Sequence, residues 1–199
     1  KGGNRPSVRR VRKVARAVLM RMGFSAQRAL SKECGRGLPV GFEIRRICPG
    51  VPEAADPGLA SAGGCTNVRE IREPSELKKM SVRELQALAG EIREEIIHTV
   101  AEQGGHLSSN LGAVELTLAV HYVFDAPGDK LIFDVGHQAY AHKLVTGRLE
   151  AFRHLRQHGG ASGFPQSDES EYDAFTAGHA STAISAALGL ARTRDIMHG

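Results

Sequence analysis

The sequence predicts a layered α/β domain, and three stretches carry that prediction. Val82, Leu85, Leu88, Ala89, Ile92, Ile96 and Val100 recur at steps of three and four, the stripe of an amphipathic helix. Lys130–Val135 is a short apolar run with the character of a buried strand. "STAISAALGLARTRDI" reads as a helix of small residues entered from a Gly-rich turn. One strand among helices is the start of a layered α/β domain.

Order is expected from about Val68. Ser81, with Glu84 three residues on, forms a capping-box pattern that starts the first helix, and Gly104-Gly105 stops it. A second periodic segment runs from about Ala113 to Phe124 and ends at the Pro127-Gly128 turn. After the strand, helical stretches are expected at about 138–146 and 149–157. "GGASGFPQSDESEYDAF" then reads as a loop, solvated by default. The last helix begins with Ser181 or Thr182 near its cap.

Charge separates the first quarter from the rest. The 199 residues carry a formal net charge of +4, but residues 1–50 hold +11 and residues 51–199 hold −7. Residues 1–30 alternate Arg with apolar residues and lack acids, as transit peptides do, and residues 34–67 are rich in Gly and Pro. Segment 1–67 is therefore expected to be disordered, either a presequence or non-native, with a nucleic-acid arm as the rival reading. Aromatics do not interleave with the arginines, which disfavours that arm. Cys34, Cys48 and Cys65 form no CxxC pair, arguing against zinc and for reduced thiols. No apolar run approaches the ~20 residues of a membrane span. Patterns for P-loop, α/β-hydrolase and zincin chemistry are absent.

Three histidines follow a glycine in a turn: Gly105-His106, Gly136-His137 and Gly178-His179. Glycine lets the backbone bend sharply, so the next side chain can project from the end of an element. His137 sits just past the expected strand, where open α/β sheets place ligands. Any one Gly-His has little information; three in the same setting favour function over a structural hydrogen bond. The turn "AGHAST" feeds a helix whose N-terminal N–H groups suit a phosphate or diphosphate, although close packing of a capped helix explains it equally well. "GGHLSSNLG" either cradles an anion or caps the next helix with Ser108, Ser109 and Asn110. Arg156 can pair with a carboxylate or phosphate, or lie on a solvated helix face. His121 and His154 are read as helix-face residues without a role.

The runs "GGHLSSNLGAVELTLAVHYVFDAPGDKLIFDVGHQAYAHKLVTGR", "LRQHGGASGFPQSDESEYDAF" and "GHASTAISAALG" resemble the N-terminal region of the 1-deoxy-D-xylulose-5-phosphate synthases. The similarity covers residues 68–199, read as the front part of a diphosphate-binding domain. It implies a three-layer thiamine-diphosphate-binding fold with a mainly parallel sheet, incomplete in this chain. It implies decarboxylation of pyruvate and condensation with D-glyceraldehyde 3-phosphate, feeding isoprenoids, thiamine and pyridoxal. By resemblance His137 contacts the cofactor, and His106 lies over the reacting carbon. Gly178, His179 and Ala180 line the diphosphate, and Arg156 lies near the substrate. Ala180 stands where the family often has Ser, so a hydroxyl contact is lost. The Mg2+ ligands are expected beyond Gly199, so these residues alone are expected to be inactive. The family further implies a homodimer, with neither nucleic acid nor membrane as partner. The expected compartment is the cytoplasm, or alternatively the plastid stroma. The rival readings are another transketolase-like enzyme and a non-catalytic binding module with a basic arm.

Overall fold

The computed structural model describes residues 67–198. The expectations for the basic and Gly/Pro-rich segment and for the three cysteines fall outside these residues. The described regular structure is helical: a 3-10 helix, Pro74–Lys79, then α1 Val82–Gln103, α2 Ser108–Leu111, α3 Val114–Val123, α4 Tyr140–Val145, α5 Leu149–Arg153 and α6 Thr182–His198.

Helix α1 starts and stops where the sequence places it. The Ser81 side chain accepts from the Glu84 N–H at 3.3 Å, and the Glu84 carboxylate accepts from the Ser81 N–H at 2.6 Å. The two ends of a capping box thus satisfy each other's orphan donors. At the far end Gly104 takes φ 75 and its N–H returns to Val100 O. Leu85, Leu88, Ala89, Ile92 and Ile96 are buried, with Val82 and Val100 partly buried at the ends of the stripe. Fully burying a side chain of this size stabilises by about 1.5–3 kcal/mol, so the stripe decides where α1 docks.

Helix α3 packs on the 3-10 helix, on α1 and on α4, while α5 packs on α1 and α4. The core between them is built of Ile71, Leu77, Leu118, Tyr140, Leu144 and Phe152, among others. Among the described residues no helix is long and apolar enough to cross a membrane.

Three expectations need correction. Lys130–Val135 forms no strand, and no strand occurs among the described residues. A strand exists only through a ladder to a neighbour, and none is present for this run. It ends in a tight turn: Gly136 N–H donates to Asp134 O at 2.7 Å, with Val135 at φ 59. That is the shape of a strained three-residue turn, rare for a β-branched residue. Helix α5 ends at Arg153 rather than near 157. The chain doubles back there, with Arg156 at φ 65 donating to Ala161 O and Ala161 donating to Ala151 O, both at 2.8 Å. These bonds use groups that a continued helix would need. Finally, the small-residue helix α6 is not closely packed: Ile184 and Ile196 are 78% and 77% exposed.

Candidate active site

Two of the three Gly-His turns meet. The rings of His106, between α1 and α2, and His137, just before α4, lie edge to face with centroids 5.3 Å apart. Both glycines ahead of them are required. Gly105 has φ 144, and a Cβ there would lie 2.8 Å from Tyr140 Oη. Gly136 has φ 87, and its Cβ would overlap Pro165 and lie 3.0 Å from the Ala177 Cβ. The backbone approaches its neighbours too closely for any side chain.

Asn110 joins the two turns. Its Nδ2 donates to the backbone carbonyls of His106 and His137, each at 2.7 Å, and its Oδ1 accepts from the Tyr140 N–H at 2.9 Å. Asn110 is fully buried and spends both N–H donors and its carbonyl on these bonds. The Tyr140 hydroxyl accepts in turn from the His106 N–H at 3.2 Å. The capping role expected for Ser108, Ser109 and Asn110 is not what forms, because neither α2 nor α3 has a side-chain cap.

Phe164 completes the ring group, its centroid 5.7 Å from that of His106. It also lines an open cleft of about 550 Å³, together with Arg156, Gln157, Gln166, Asp168 and Glu169. The His106 pKa is lowered by desolvation first, and then by the neighbouring His137 and the Arg156 charge. His106 is therefore mostly neutral at pH 7 and can accept a proton. The His137 Nδ1 is buried without a hydrogen-bond partner.

The third Gly-His turn differs. Gly178 has no positive φ and nothing within 4 Å of where a Cβ would sit. Gly178, His179 and Ala180 are exposed ahead of α6. They lie next to the His137 turn, since Ala177 abuts Gly136 and donates its N–H to Pro165 O at 3.1 Å. The start of α6 already faces an acid: the Ala183 N–H donates to Asp134 Oδ1 at 3.4 Å. Thr182 sends its hydroxyl back to His179 O at 2.8 Å.

The sequence reading missed a polar cluster behind the rings. His121, taken for a helix-face residue, is fully buried, and its Nε2 lies 2.8 Å from His142 Nδ1. His142 Nε2 reaches Asp173 Oδ1 at 2.9 Å, and Arg148 spans Asp173 and Glu169. The acidic loop, taken as solvated, thus supplies two structural carboxylates. The signal for His121 was available: Val114, Thr117, Leu118 and His121 share one buried helical face. His154, by contrast, is exposed.

Residues 68–199 match the family described as 1-deoxy-D-xylulose-5-phosphate synthase. The 1-deoxy-D-xylulose-5-phosphate synthase of Syntrophotalea carbinolica is 61% identical over 132 residues, 66% of this chain and 21% of the relative. That of Dictyoglomus turgidum is 62% identical over 129 residues, 65% of this chain and 21% of the relative. That of Anaeromyxobacter sp. is 60% identical over 126 residues, 63% of this chain and 20% of the relative. The matched part thus spans about a fifth of the length of these curated relatives. The chain belongs to the family described as 1-deoxy-D-xylulose-5-phosphate synthase.

Proposed function

We propose that residues 68–199 form the front part of the thiamine-diphosphate-binding domain of a 1-deoxy-D-xylulose-5-phosphate synthase. The complete enzyme decarboxylates pyruvate and joins the remaining two carbons to D-glyceraldehyde 3-phosphate. The observation that carries this reading is the His106–His137 ring pair beside the cleft, in a segment 61% identical to a synthase of that name. In the complete enzyme the fold is a three-layer α/β arrangement with a mainly parallel sheet.

The residues present fit the cofactor. The unpartnered Nδ1 of His137 calls for a polar partner from outside the described residues, since leaving such an atom unsatisfied costs about 1–3 kcal/mol. When bound, thiamine diphosphate supplies a carbon acid and an electron sink for loss of CO2. His137 would hold it through the free nitrogen. Gly178, His179 and Ala180 would hold the diphosphate side, where the turn is open. Neutral His106 would accept or return a proton, and Arg156 would draw the anionic substrate into the cleft.

Asp134 at the start of α6 opposes a diphosphate by like charge. A divalent cation bound beside the diphosphate would relieve that repulsion. The homodimer is assigned to the complete enzyme, and the cytoplasm is its compartment.

Replacing the matching fifth of the Syntrophotalea carbinolica protein with residues 68–199 tests the reading. The chimera is expected to make 1-deoxyxylulose 5-phosphate from pyruvate and glyceraldehyde 3-phosphate with thiamine diphosphate and magnesium. His106→Ala should lower kcat by 10²-fold or more, the usual scale of a lost proton-transfer group. The 199-residue chain assayed alone should yield no product. A chimera that folds but turns over xylulose 5-phosphate instead of pyruvate would move the chain to another transketolase-like activity.

A further inference from the structure

Segment 162–166 carries Phe164 to His106 and Pro165 to Gly136, yet it belongs to no helix and no ladder. Its main chain is held by two acids from further along the loop. Asp173 Oδ2 accepts from the Gln166 N–H at 2.8 Å, and Glu169 Oε2 accepts from the Ser162 N–H at 2.9 Å. Ser162 passes the constraint on, its hydroxyl accepting from the Phe164 N–H at 3.2 Å.

The same acids are fastened on their other side to α4 and to Arg148, the residue just before α5. Asp173 accepts from Arg148 through both oxygens, at 2.8 and 2.9 Å, and faces His142 Nε2 at 2.9 Å. Glu169 accepts from Arg148 at 2.8 Å and from the buried Lys143 at 2.5 Å. The geometry also orders the protons. With His142 Nε2–H donating to Asp173, its Nδ1 accepts from His121 Nε2–H, which leaves unprotonated the buried His121 Nδ1, an atom without a hydrogen-bond partner. His142 is thus a neutral ring locked in one tautomer by an acid, and the acid is locked by an arginine.

Buried ions of this kind are a poor source of stability, because desolvation offsets most of their attraction. The apolar core between α1, α3, α4 and α5 is built from other side chains. Their geometric effect is specific, however: both acids end on main-chain amides of the irregular segment that carries Phe164 to His106 and Pro165 to Gly136.

We propose that Asp173 is a positioning residue, which, fastened by His142 and Arg148, holds segment 162–166 so that Phe164 and Pro165 set the His106–His137 ring arrangement. Glu169 is the second tie of the same clamp. The clamp concerns the rings themselves and rests on the reading above only in taking that pair as the reactive site.

The test uses NMR of the 199-residue chain. In Asp173→Asn the cross-peaks between the His106 and Phe164 rings should be lost. The His106 titration should move up towards that of an ordinary imidazole as water reaches it, with far-UV circular dichroism still helical. Glu169→Gln, at the partly exposed end of the cluster, should weaken the same cross-peaks and shift the titration in the same direction. A folded Asp173→Asn whose melting temperature falls while cross-peaks and titration stay unchanged would mean a structural role only, and would overturn the proposal. If Asp173→Asn does not fold, Glu169→Gln decides: unchanged rings there overturn it equally. Turnover by the chimera does not enter these readouts, so loss of the functional reading and loss of the clamp are seen separately.

Discussion

Truncating Asn110 to Ala tests whether one amide joins the two Gly-His turns. The change leaves three main-chain groups without their partners: the carbonyls of His106 and His137 and the N–H of Tyr140. An unmet buried polar group costs about 1–3 kcal/mol. The Tyr140 N–H lies in a wholly buried bond, while the two carbonyl bonds are partly buried, so water can relieve part of their loss. The expected destabilisation is therefore about 3–5 kcal/mol, a large share of the ~5–15 kcal/mol that holds an ordinary domain folded. Urea unfolding followed by circular dichroism reads this as a lower midpoint at constant slope. Asn110→Asp separates the two halves of the bridge. It keeps an acceptor for Tyr140 but turns a carboxylate oxygen towards two carbonyls, so it should cost at least as much as the alanine. A loss below about 1 kcal/mol in both variants would refute the idea that this amide holds the turns together.

Acid should unfold the chain in two stages. His121 is lowered to about 3 and His142 is also lowered, both chiefly by burial, so the unfolded chain binds protons that the folded chain refuses. Stability should be flat above the ordinary imidazole value of 6.5 and fall as pH drops below it, by up to ~1.4 kcal/mol per pH unit for each proton taken up. Asp173 is held low by His142 and Arg148 against the opposing effect of burial, so its contribution begins to fade as pH falls through the ordinary value of 3.8. Equilibrium unfolding across pH checks both stages, and a profile flat from about pH 7 to about pH 4 would contradict the neutral histidine pair. Hydrogen exchange should find the amides of Leu131, Ile132 and Phe133 unprotected in this chain, since they have no described acceptor, and slowed in the chimera. Equal protection in both would mean that the segment gains no ladder there.

Local rules were legible in the sequence wherever the interaction lies within one helix. The capping box at Ser81 and Glu84, the stripe from Leu85 to Ile96 and the stop at Gly104 all formed as read. Such features need only neighbours three or four residues away. Gly105 and Gly136 were readable as sites where the backbone bends sharply, and the turns they open do bring His106 and His137 together. What could not be read was which polar side chains would be buried. Asn110 looked like a cap because Asn commonly caps, but its partners lie up to 30 residues away. Asp173 looked solvated because its loop is acidic, while the arginine, histidine and amide that hold it come from separate positions along the chain. The third Gly-His shows the limit of a dipeptide: Gly178 has neither the positive φ nor the close neighbours of the other two.

The two stretches that suggested an α/β layer and stayed apart from it share one physical condition. Strand character in Lys130–Val135 is a preference for a pleated, half-buried surface, and it becomes a strand only when another edge supplies donors and acceptors. Small residues along α6 favour close approach, but only to an element that is there to be approached. Helices α1, α3, α4 and α5 carry both sides of their own contacts within residues 67–198, so they assemble into a core. Segment 130–135 reaches that core through the Phe133 ring against His142, but it has no ladder, and α6 leaves Ile184 and Ile196 exposed. Among the described residues a hydrogen bond joins them, from the Ala183 N–H to the Asp134 carboxylate. That meeting involves the first residue of the strained turn that leads into His137, so a sheet built on 130–135 would bear directly on the geometry of the ring pair. The proposed layered fold and the proposed site are thus linked through the three residues Asp134, Val135 and Gly136.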